Sequence, residues 1–193
     1  MDIVDKRVVG TGAAGGVGSL AGQIFKIAGC KVYGIAGGKE KCEMLINDFG
    51  FDGAIDYKSE DLNESIGKLC PNGADIVYDN VGGRILNDCL LHLALNARIA
   101  ICGIISRHKT DNMNFGPENY SNLIFKRATM QGFLMLDYVS ETASARSKMK
   151  KWIEEGKLIC KEDLREGFEN APDTLKGLFD GKNKGKQLLK IAD

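Results

Sequence analysis

The sequence predicts an α/β fold: a doubly wound parallel sheet of six strands with helices on both faces, in the order 3-2-1-4-5-6. Short apolar runs alternate with helical periods of about 10–15 residues, which is the spacing of crossover connections between parallel strands. The runs are also nearly continuous in apolar residues, as in "RIAICGI", which is typical of strands covered on both faces.

Each element follows from its local pattern. The first strand is centred on Val8 and Val9, and the first helix has apolar residues at helical spacing from Val17 until Gly29 ends it. Ser59 is the expected N-cap of the third helix. The expected strands are residues 7–10, 31–37, 53–57, 74–81, 97–104 and 129–136, and the expected helices are residues 17–28, 39–50, 59–70, 84–95, 120–127 and 140–156.

The C-terminal residues interrupt this alternation. We predict a strand at 158–168, a short helix at 171–181 and a last strand at 186–192. We therefore divide the chain into a sheet domain, residues 1–157, and a C-terminal tail, residues 158–193, that packs on a different surface.

Composition excludes several classes of protein. The 26 basic and 26 acidic residues balance, so no net charge favours nucleic acid or an anionic membrane as partner. No apolar run approaches the roughly 18 residues that span a bilayer, and no signal peptide opens the chain. The six cysteines include no C-x-x-C pair, which favours neither a zinc site nor a disulfide framework. We expect a reduced, cytoplasmic protein without a metal.

The run "GTGAAGGVGS" lies between the first strand and the first helix. It contains Ala13-x-Gly15-x-x-Gly18, which is the G-x-G-x-x-G pattern with alanine in its first position. In that pattern the middle glycine lets the backbone approach a pyrophosphate, and the last one lets helix and strand pack closely. The alternative is a tight turn without a ligand. Because the pattern lies at the first strand–helix junction of a predicted six-stranded sheet, it indicates a dinucleotide site.

The end of the second strand indicates which dinucleotide. An NAD site usually has Asp or Glu about 20 residues after the glycines, to hold the ribose hydroxyls. Here the strand ends in Ala36-Gly37-Gly38, and Lys39 and Lys41 follow. The missing carboxylate removes repulsion against a 2′-phosphate, and a nearby lysine attracts it. The pattern therefore favours NADP(H). The alternative is that Lys39 and Lys41 are solvated lysines without a phosphate contact. The missing carboxylate also disfavours a methyltransferase, which would need one for its ribose.

Four segments together resemble one enzyme family: "GAAGGVGSLAGQIFKIAGCKVYGIAGGKEKC", "YDNVGG", "ARIAICGIIS" and "GFENAPDTLKGLFDGKNKGKQLLKI". They are similar to the Rossmann-fold cofactor domain of zinc-independent medium-chain dehydrogenase/reductases, in the branch of NADPH-dependent double-bond reductases that includes prostaglandin and alkenal reductases. The resemblance implies reduction of the C=C bond of a small α,β-unsaturated aldehyde or ketone. Substrate, stereochemistry and a homodimer stay open.

The resemblance also implies which residues bind the cofactor. It places the phosphate loop at residues 15–18, the 2′-phosphate lysine at Lys41 and an adenosine contact at Tyr57. The segment "CGIIS" and the residues "FLM" at the end of the sixth strand are expected along the nicotinamide. The implied cofactor contacts are Gly15, Gly16, Val17, Gly18, Lys41, Tyr57, Asn80, Cys102, Gly103, Ile104, Ile105, Ser106, His108, Phe133, Leu134, Met135 and Asn183. Phe133 and Leu134 are equally well explained as core residues, and no catalytic residue is assigned.

The sequence departs from the family in two places. Where relatives read like "ISQYN", this chain reads "ISRHK" and has His108 in place of a tyrosine. His108 is either a solvent-facing loop residue, which we favour, or a replacement hydrogen-bond or proton donor. Only six residues precede the first strand, whereas the family carries an N-terminal substrate domain there. We expect the tail to return toward that domain in the family, and the chain alone to lack turnover.

The residues disfavour two other classes of dehydrogenase. A short-chain dehydrogenase needs Tyr-x-x-x-Lys, and none of the five tyrosines has lysine four residues later. Zinc alcohol dehydrogenase chemistry lacks its ligand pattern. A non-catalytic NADP-binding module, acting as sensor or scaffold, remains the alternative, because hydride transfer requires a held substrate.

Overall fold

A computed structural model of the protein describes residues 3–106 and 117–192. Its main sheet has six parallel strands in the order β3-β2-β1-β4-β5-β6, which confirms the predicted fold. The strands are β1 (Arg7–Thr11), β2 (Lys31–Ala36), β3 (Gly53–Asp56), β4 (Ala74–Asp79), β5 (Leu93–Ile101) and β6 (Thr129–Gly132). The helices between and after them are α1 (Gly18–Ile27), α2 (Lys39–Asn47), α3 (Leu62–Leu69), α4 (Gly83–Leu91), α5 (Asn122–Lys126) and α6 (Thr142–Glu154).

Apolar cores lie on both faces of the sheet, as its continuous apolar strands require. Neighbouring residues on a strand point to opposite faces, and both Val8 and Val9 of β1 are almost completely buried. Val9 belongs to the cluster that packs against α3 and α4, and Val8 belongs to the cluster on the opposite face, which includes residues of α2. This double covering fixes β1 at the centre of the sheet.

Several element boundaries differ from the predictions. Asp61, not Ser59, caps α3, since its side chain accepts a hydrogen bond from the Glu64 amide; the Ser59 hydroxyl instead donates to Asp56. The fourth helix ends at Leu91, because β5 already begins at Leu93.

The first part of β5 is irregular. Its pairing with β4 shifts register between Ala74 and Ile76, and Asn96 adopts a φ of 60°. Because of this irregularity, hydrophobic periodicity did not predict residues 93–96 as part of the strand. The sixth strand is also shorter than predicted, since residues after Gly132 lead into a 3-10 helix at Met135–Glu141.

The tail forms a parallel strand pair of its own. β7 (Glu162–Glu166) and β8 (Lys186–Lys190) are joined by α7 (Ala171–Phe179). The tail is attached to α1 through Gln23, whose amide side chain donates to the Ile159 carbonyl at 3.0 Å and accepts from the Ile159 amide at 2.7 Å. None of the helices in the described ranges combines the length and apolar character needed to cross a membrane.

Candidate functional site

A cavity of about 1010 Å³ opens where the carboxyl ends of the central strands meet. Strand order reverses between β1 and β4, and such a switch point forms a crevice at the carboxyl edge of a doubly wound sheet. The cavity is lined by the turns that follow β1, β2, β4 and β5, and by the turn between α7 and β8. It is therefore the site at which the topology predicts a ligand.

The turn between β1 and α1 is built from glycines that the backbone requires. A Cβ atom on Gly18 would lie 2.9 Å from the Cα of Ala13 and closer still to the Gly12 carbonyl oxygen. Gly12 has a φ of 57°, in the left-handed region, and its carbonyl accepts from the Gly15 amide at 3.1 Å. Helix α1 starts without a side-chain cap and without an acidic residue in its first turn, so the positive end of its dipole faces the cavity unneutralised.

Lysines surround the loop that follows β2. Lys41 is half-buried, and its ammonium donates to the Gly181 carbonyl of the tail at 2.6 Å. Burial and the positive charges of Lys58 and Lys184 lower the pKa of Lys41, while Asp163 acts in the opposite direction. A crowded cation of this kind gains from a neighbouring anion. The loop thus offers a site for a phosphate rather than for two ribose hydroxyls.

An acidic residue near this loop, Asp56, is the last residue of β3 and does not follow β2. Asp56 accepts hydrogen bonds from the Gly38 amide at 2.7 Å, the Lys58 amide at 3.0 Å and the Ser59 hydroxyl at 2.9 Å. Burial alone would raise its pKa, but these hydrogen bonds lower the pKa of Asp56 below its ordinary value. The carboxylate shapes the backbone after β2, and its oxygens are already used.

Tyr57 packs over the backbone next to this carboxylate. A Cβ on Gly37 would lie 2.9 Å from two atoms of the Tyr57 ring. The ring therefore approaches the end of β2 as closely as only glycine allows, and it lines the cavity beside Lys41.

A buried hydrogen-bond network joins the ends of β1 and β4. The Asp79 carboxylate accepts from the Thr11 hydroxyl at 2.6 Å and from the Gly82 amide at 2.9 Å. The Asn80 side chain donates to the Thr11 carbonyl at 2.9 Å. Burial raises the pKa of Asp79, against the hydrogen bonds it accepts. This network fixes the position of Asn80 at the cavity wall.

The segment after β5 is attached to the same network. The Cys102 and Gly103 amides both donate to the Asp79 carbonyl, at 2.8 and 3.1 Å, and the Ser106 amide donates to the Val81 carbonyl at 3.1 Å. A Cβ on Gly103 would lie 3.0 Å from the Asn80 carbonyl oxygen. The close approach of these two loops forms one continuous wall of the cavity.

The tail closes the cavity on the opposite side. Gly185 forms a bridge with Gly15, and its amide donates to the Ala14 carbonyl at 2.8 Å. The buried Asn183 side chain donates to the Gly185 carbonyl at 2.8 Å and so stabilises the turn that makes this bridge. The glycine turn is therefore enclosed by residues about 170 positions away in the sequence.

The structure brings most of the predicted residues together. The predicted residues that line the cavity are Gly15, Gly16, Val17, Gly18, Lys41, Tyr57, Asn80, Cys102, Gly103, Ile105, Ser106 and Asn183. Ile104 is not part of the cavity lining and is 48% exposed. His108 lies outside the described residues.

Three of the residues expected along the nicotinamide do not line the cavity, namely Phe133, Leu134 and Met135. Leu134 and Met135 are each 66% exposed. Phe133 contacts Tyr78 and Tyr138 instead, with ring centroids 6.4 Å apart in each pair. Their role in cofactor binding remains a prediction.

Of the tail residues that line the cavity, only Asn183 was predicted from the sequence, and the others were missed. Leu178, Phe179, Gly181, Lys186 and Gln187 all line the cavity. No local pattern marks them, since their proximity depends on how the tail returns to the glycine turn. Gly12, by contrast, carried a signal in the glycine run itself.

Comparison with known proteins agrees with this geometry. The family described as zinc-binding dehydrogenase matches residues 16–153. No group of three or more His, Cys, Asp or Glu side chains within residues 3–106 and 117–192 is arranged to hold a metal ion.

Individual relatives cover the whole chain. It is 45% identical to a putative NADP-dependent oxidoreductase, YfmJ, of Bacillus subtilis, covering 97% of this chain and 56% of the relative. It is 42% identical to an NADP(+)-dependent 2-alkenal reductase of Nicotiana tabacum, covering 93% of this chain and 52% of the relative.

A solved structure is also similar. The crystal structure of CurA in complex with NADPH, from Vibrio vulnificus, is 40% identical with a TM-score of 0.92, covering 98% of this chain and 58% of that one. The chain thus spans a little over half the length of the relatives it matches. It belongs to this dehydrogenase family, the medium-chain dehydrogenase/reductases, and corresponds to their NADP-binding domain.

Proposed function

We propose that this chain binds NADPH in the cavity and forms the cofactor domain of an oxidoreductase that reduces the C=C bond of α,β-unsaturated aldehydes and ketones. The observation that carries the proposal is the phosphate-binding geometry: an uncapped helix N-terminus behind a glycine turn, with a half-buried lysine after β2. Both features lie on the wall of one cavity.

The residues present suit a dinucleotide phosphate. Gly18 occupies a position that a side chain would fill with backbone clashes, and Gly37 allows Tyr57 to approach the adenosine end. Lys41 and its lysine neighbours match a 2′-phosphate, and the Asp56 carboxylate, which accepts hydrogen bonds from the Gly38 amide and the Ser59 hydroxyl, is not part of the cavity lining. The similarity to an NADPH complex supports the same assignment.

The substrate class rests on the relatives and on exposed apolar side chains that follow β6. A 2-alkenal reductase is among the similar proteins. In the reaction we propose, bound NADPH supplies a hydride to the β-carbon, and a proton goes to the α-carbon. The exposed apolar side chains of Leu134 and Met135 would face a small apolar substrate or the domain that holds it.

The division of the chain also enters the proposal. Residues 1–157 form the cofactor-binding sheet domain, and residues 158–193 form the tail that returns toward the substrate domain of longer relatives. The tail's contacts with Gln23 and Gly15 support a position beside the cofactor as well. Cofactor binding is thus expected from this chain alone, whereas turnover needs a held substrate.

Titration of the 193-residue chain with NADPH, followed by an activity assay, tests the proposal. We expect saturable binding to one site and no enone-dependent NADPH oxidation by this chain alone. A whole gene product containing the chain should oxidise NADPH with a 2-alkenal and not with the saturated aldehyde.

Three results would change the proposal. Absence of NADPH binding would refute the cofactor site. A whole gene product that binds NADPH but reduces neither aldehyde would favour a non-catalytic NADP-binding module. Rapid turnover of a 2-alkenal by the 193-residue chain would show that no further domain is needed.

A further inference from the structure

Asp56 lies at the end of β3, beside the loop that follows β2. The two strands are parallel, with Ala36 opposite Asp56 in register, so both end at the same edge of the sheet. Asp56 is only 9% exposed and is not part of the cavity lining. A carboxylate buried beside the cavity, but outside its wall, acts on a ligand only through other residues.

One oxygen of this carboxylate joins the loops that follow β2 and β3. Its Oδ1 accepts from the Gly38 amide at 2.7 Å and from the Lys58 amide at 3.0 Å. Its Oδ2 accepts from the Ser59 hydroxyl at 2.9 Å, and the Asp56 amide donates to the Glu60 carboxylate at 2.8 Å. Asp56 is therefore itself held in place and serves as a fixed anchor for the Gly38 amide.

Gly38 connects this anchor to the first turn of α2. Its carbonyl accepts hydrogen bonds from the Lys41 amide at 3.1 Å and from the Cys42 amide at 3.3 Å. Its φ of 100° is a conformation that glycine adopts easily but does not enforce. Gly38 is the N-cap of α2 and has no side chain with which to fix the turn, so the Asp56 carboxylate fixes it from β3. The point from which the Lys41 side chain starts is thus set by Asp56.

We propose that Asp56 is a positioning residue for NADPH, which holds the loop after β2 so that Lys41 reaches the 2′-phosphate. This inference rests on the proposed cofactor site and on the role of Lys41 in it. The carboxylate acts through its hydrogen bonds and against its own charge, since a negative charge near a phosphate repels it. Loss of the hydrogen bonds and loss of the charge therefore change the preference for NADPH in opposite directions.

Two substitutions separate the hydrogen bonds from the charge. Asp56→Ala removes both, and in calorimetric titrations of the 193-residue chain we expect the ratio of NADPH to NADH affinity to fall about tenfold, because a displaced Lys41 loses its phosphate contact. Asp56→Asn removes the charge but keeps one oxygen for the Gly38 and Lys58 amides, so its ratio should equal or exceed that of the parent. When Lys41 is already alanine, Asp56→Ala should leave the ratio unchanged, because both residues act on the same contact.

Asp52→Ala is the matched control. Asp52 precedes β3, at the opposite end of the same strand pair, and lies outside the cavity wall. It accepts from the Val32 amide of β2 at 2.7 Å, the same kind of bond that Asp56 makes with Gly38. Asp52→Ala should therefore lower the free energy of unfolding, measured in urea, without changing the ratio of NADPH to NADH affinity.

An unchanged or raised ratio in Asp56→Ala would overturn the assignment, and so would a further fall when Asp56→Ala is added to Lys41→Ala. A ratio in Asp56→Asn below that of the parent would also overturn it, and this variant decides the question if Asp56→Ala does not fold. A fall in Asp52→Ala as large as in Asp56→Ala would show a general loss of stability rather than positioning. A parent chain that binds no dinucleotide would instead overturn the proposed function and this inference with it.

Discussion

At the scale of single residues, we propose that Lys41 determines which dinucleotide the site prefers. Its ammonium donates to the Gly181 carbonyl of the tail, and burial together with two other lysines lowers its pKa. We expect Lys41→Ala to weaken NADPH about ten- to a hundredfold, because a charge-assisted hydrogen bond contributes roughly 1.5–3 kcal/mol. NADH affinity should change little. Calorimetric titration of both cofactors measures the two effects.

Lys39 provides the control for this prediction. Its side chain is 87% exposed and pairs only with Glu43, one turn along α2, in the part of the chain that is described. Lys39→Ala should therefore leave both affinities within a factor of about two of the parent, as is usual for an exposed pair. A loss at Lys39 equal to that at Lys41 would mean that general surface charge, not a specific phosphate contact, attracts the cofactor.

Substitutions of two glycines in the turn distinguish a role in protein stability from a role in cofactor binding. A methyl group on Gly18 would meet the backbone at 2.9 Å, so Gly18→Ala should lower the free energy of unfolding by about 1–3 kcal/mol. On Gly15 the nearest atom would be 3.3 Å away, so Gly15→Ala should stay within about 1 kcal/mol of the parent. We nevertheless expect it to weaken NADPH at least about tenfold, because the backbone there must approach the pyrophosphate.

Urea unfolding and NADPH titration of both variants check this separation. If Gly15→Ala binds NADPH as the parent does, the glycine turn does not contact the phosphates. If Gly18→Ala is as stable as the parent, the close approach of α1 to β1 is not required.

The loop that follows β4 depends, at the scale of elements, on one buried carboxyl. Asp79 is fully buried and accepts hydrogen bonds from Thr11, Val81 and Gly82. Burial raises its pKa above the ordinary 3.8, so the folded protein holds this proton more tightly than the unfolded chain. Between 3.8 and the raised pKa, the contribution of Asp79 to stability therefore falls as pH increases.

Asp79→Asn isolates this contribution, since asparagine does not titrate. The parent should exceed the variant in free energy of unfolding by more at about pH 4 than at about pH 7. Urea unfolding of the two proteins, at both pH values and constant ionic strength, measures the difference. A gap that widens toward pH 7 would show that the ionised carboxylate is the stabilising form.

The central sheet was predictable because its patterns are local. Alternating apolar runs and helical periods placed all six strands, and parallel strands connected by helices constrained their order. The start of β5 was not predictable. Residues 93–95 continue the helical period of the fourth helix, and only the register shift opposite Ala74 makes them a strand. Tertiary pairing overrides the local pattern there.

The site was predictable to the extent that it follows strand ends. The glycine turn, Lys41 and Asn80 all follow strands of the sheet, and all line the cavity. Lys186 and Phe179 line it too, but only because the tail crosses back to Gly15. Contacts between positions so far apart in sequence leave no periodic or turn signal, so a single sequence does not reveal them.

The sheet domain and the tail enclose the cofactor cavity jointly at the scale of the whole molecule. The tail is joined to α1 through Gln23, to the glycine turn through Gly185, and to α2 through the Lys41–Gly181 and Lys184–Glu40 contacts. Lys41 therefore contacts both the loop that would hold the adenosine and the tail. A bound 2′-phosphate would compete with the Gly181 carbonyl for its ammonium.

Preference for NADPH over NADH in the unmodified 193-residue chain is the measurement that tests this account most directly. Calorimetric titrations at low and at high salt give both dissociation constants. We expect NADPH to bind about ten- to a hundredfold more tightly at low salt, with the ratio narrowing as salt screens the partly exposed phosphate site. Equal affinities for NADPH and NADH at low salt would contradict the account.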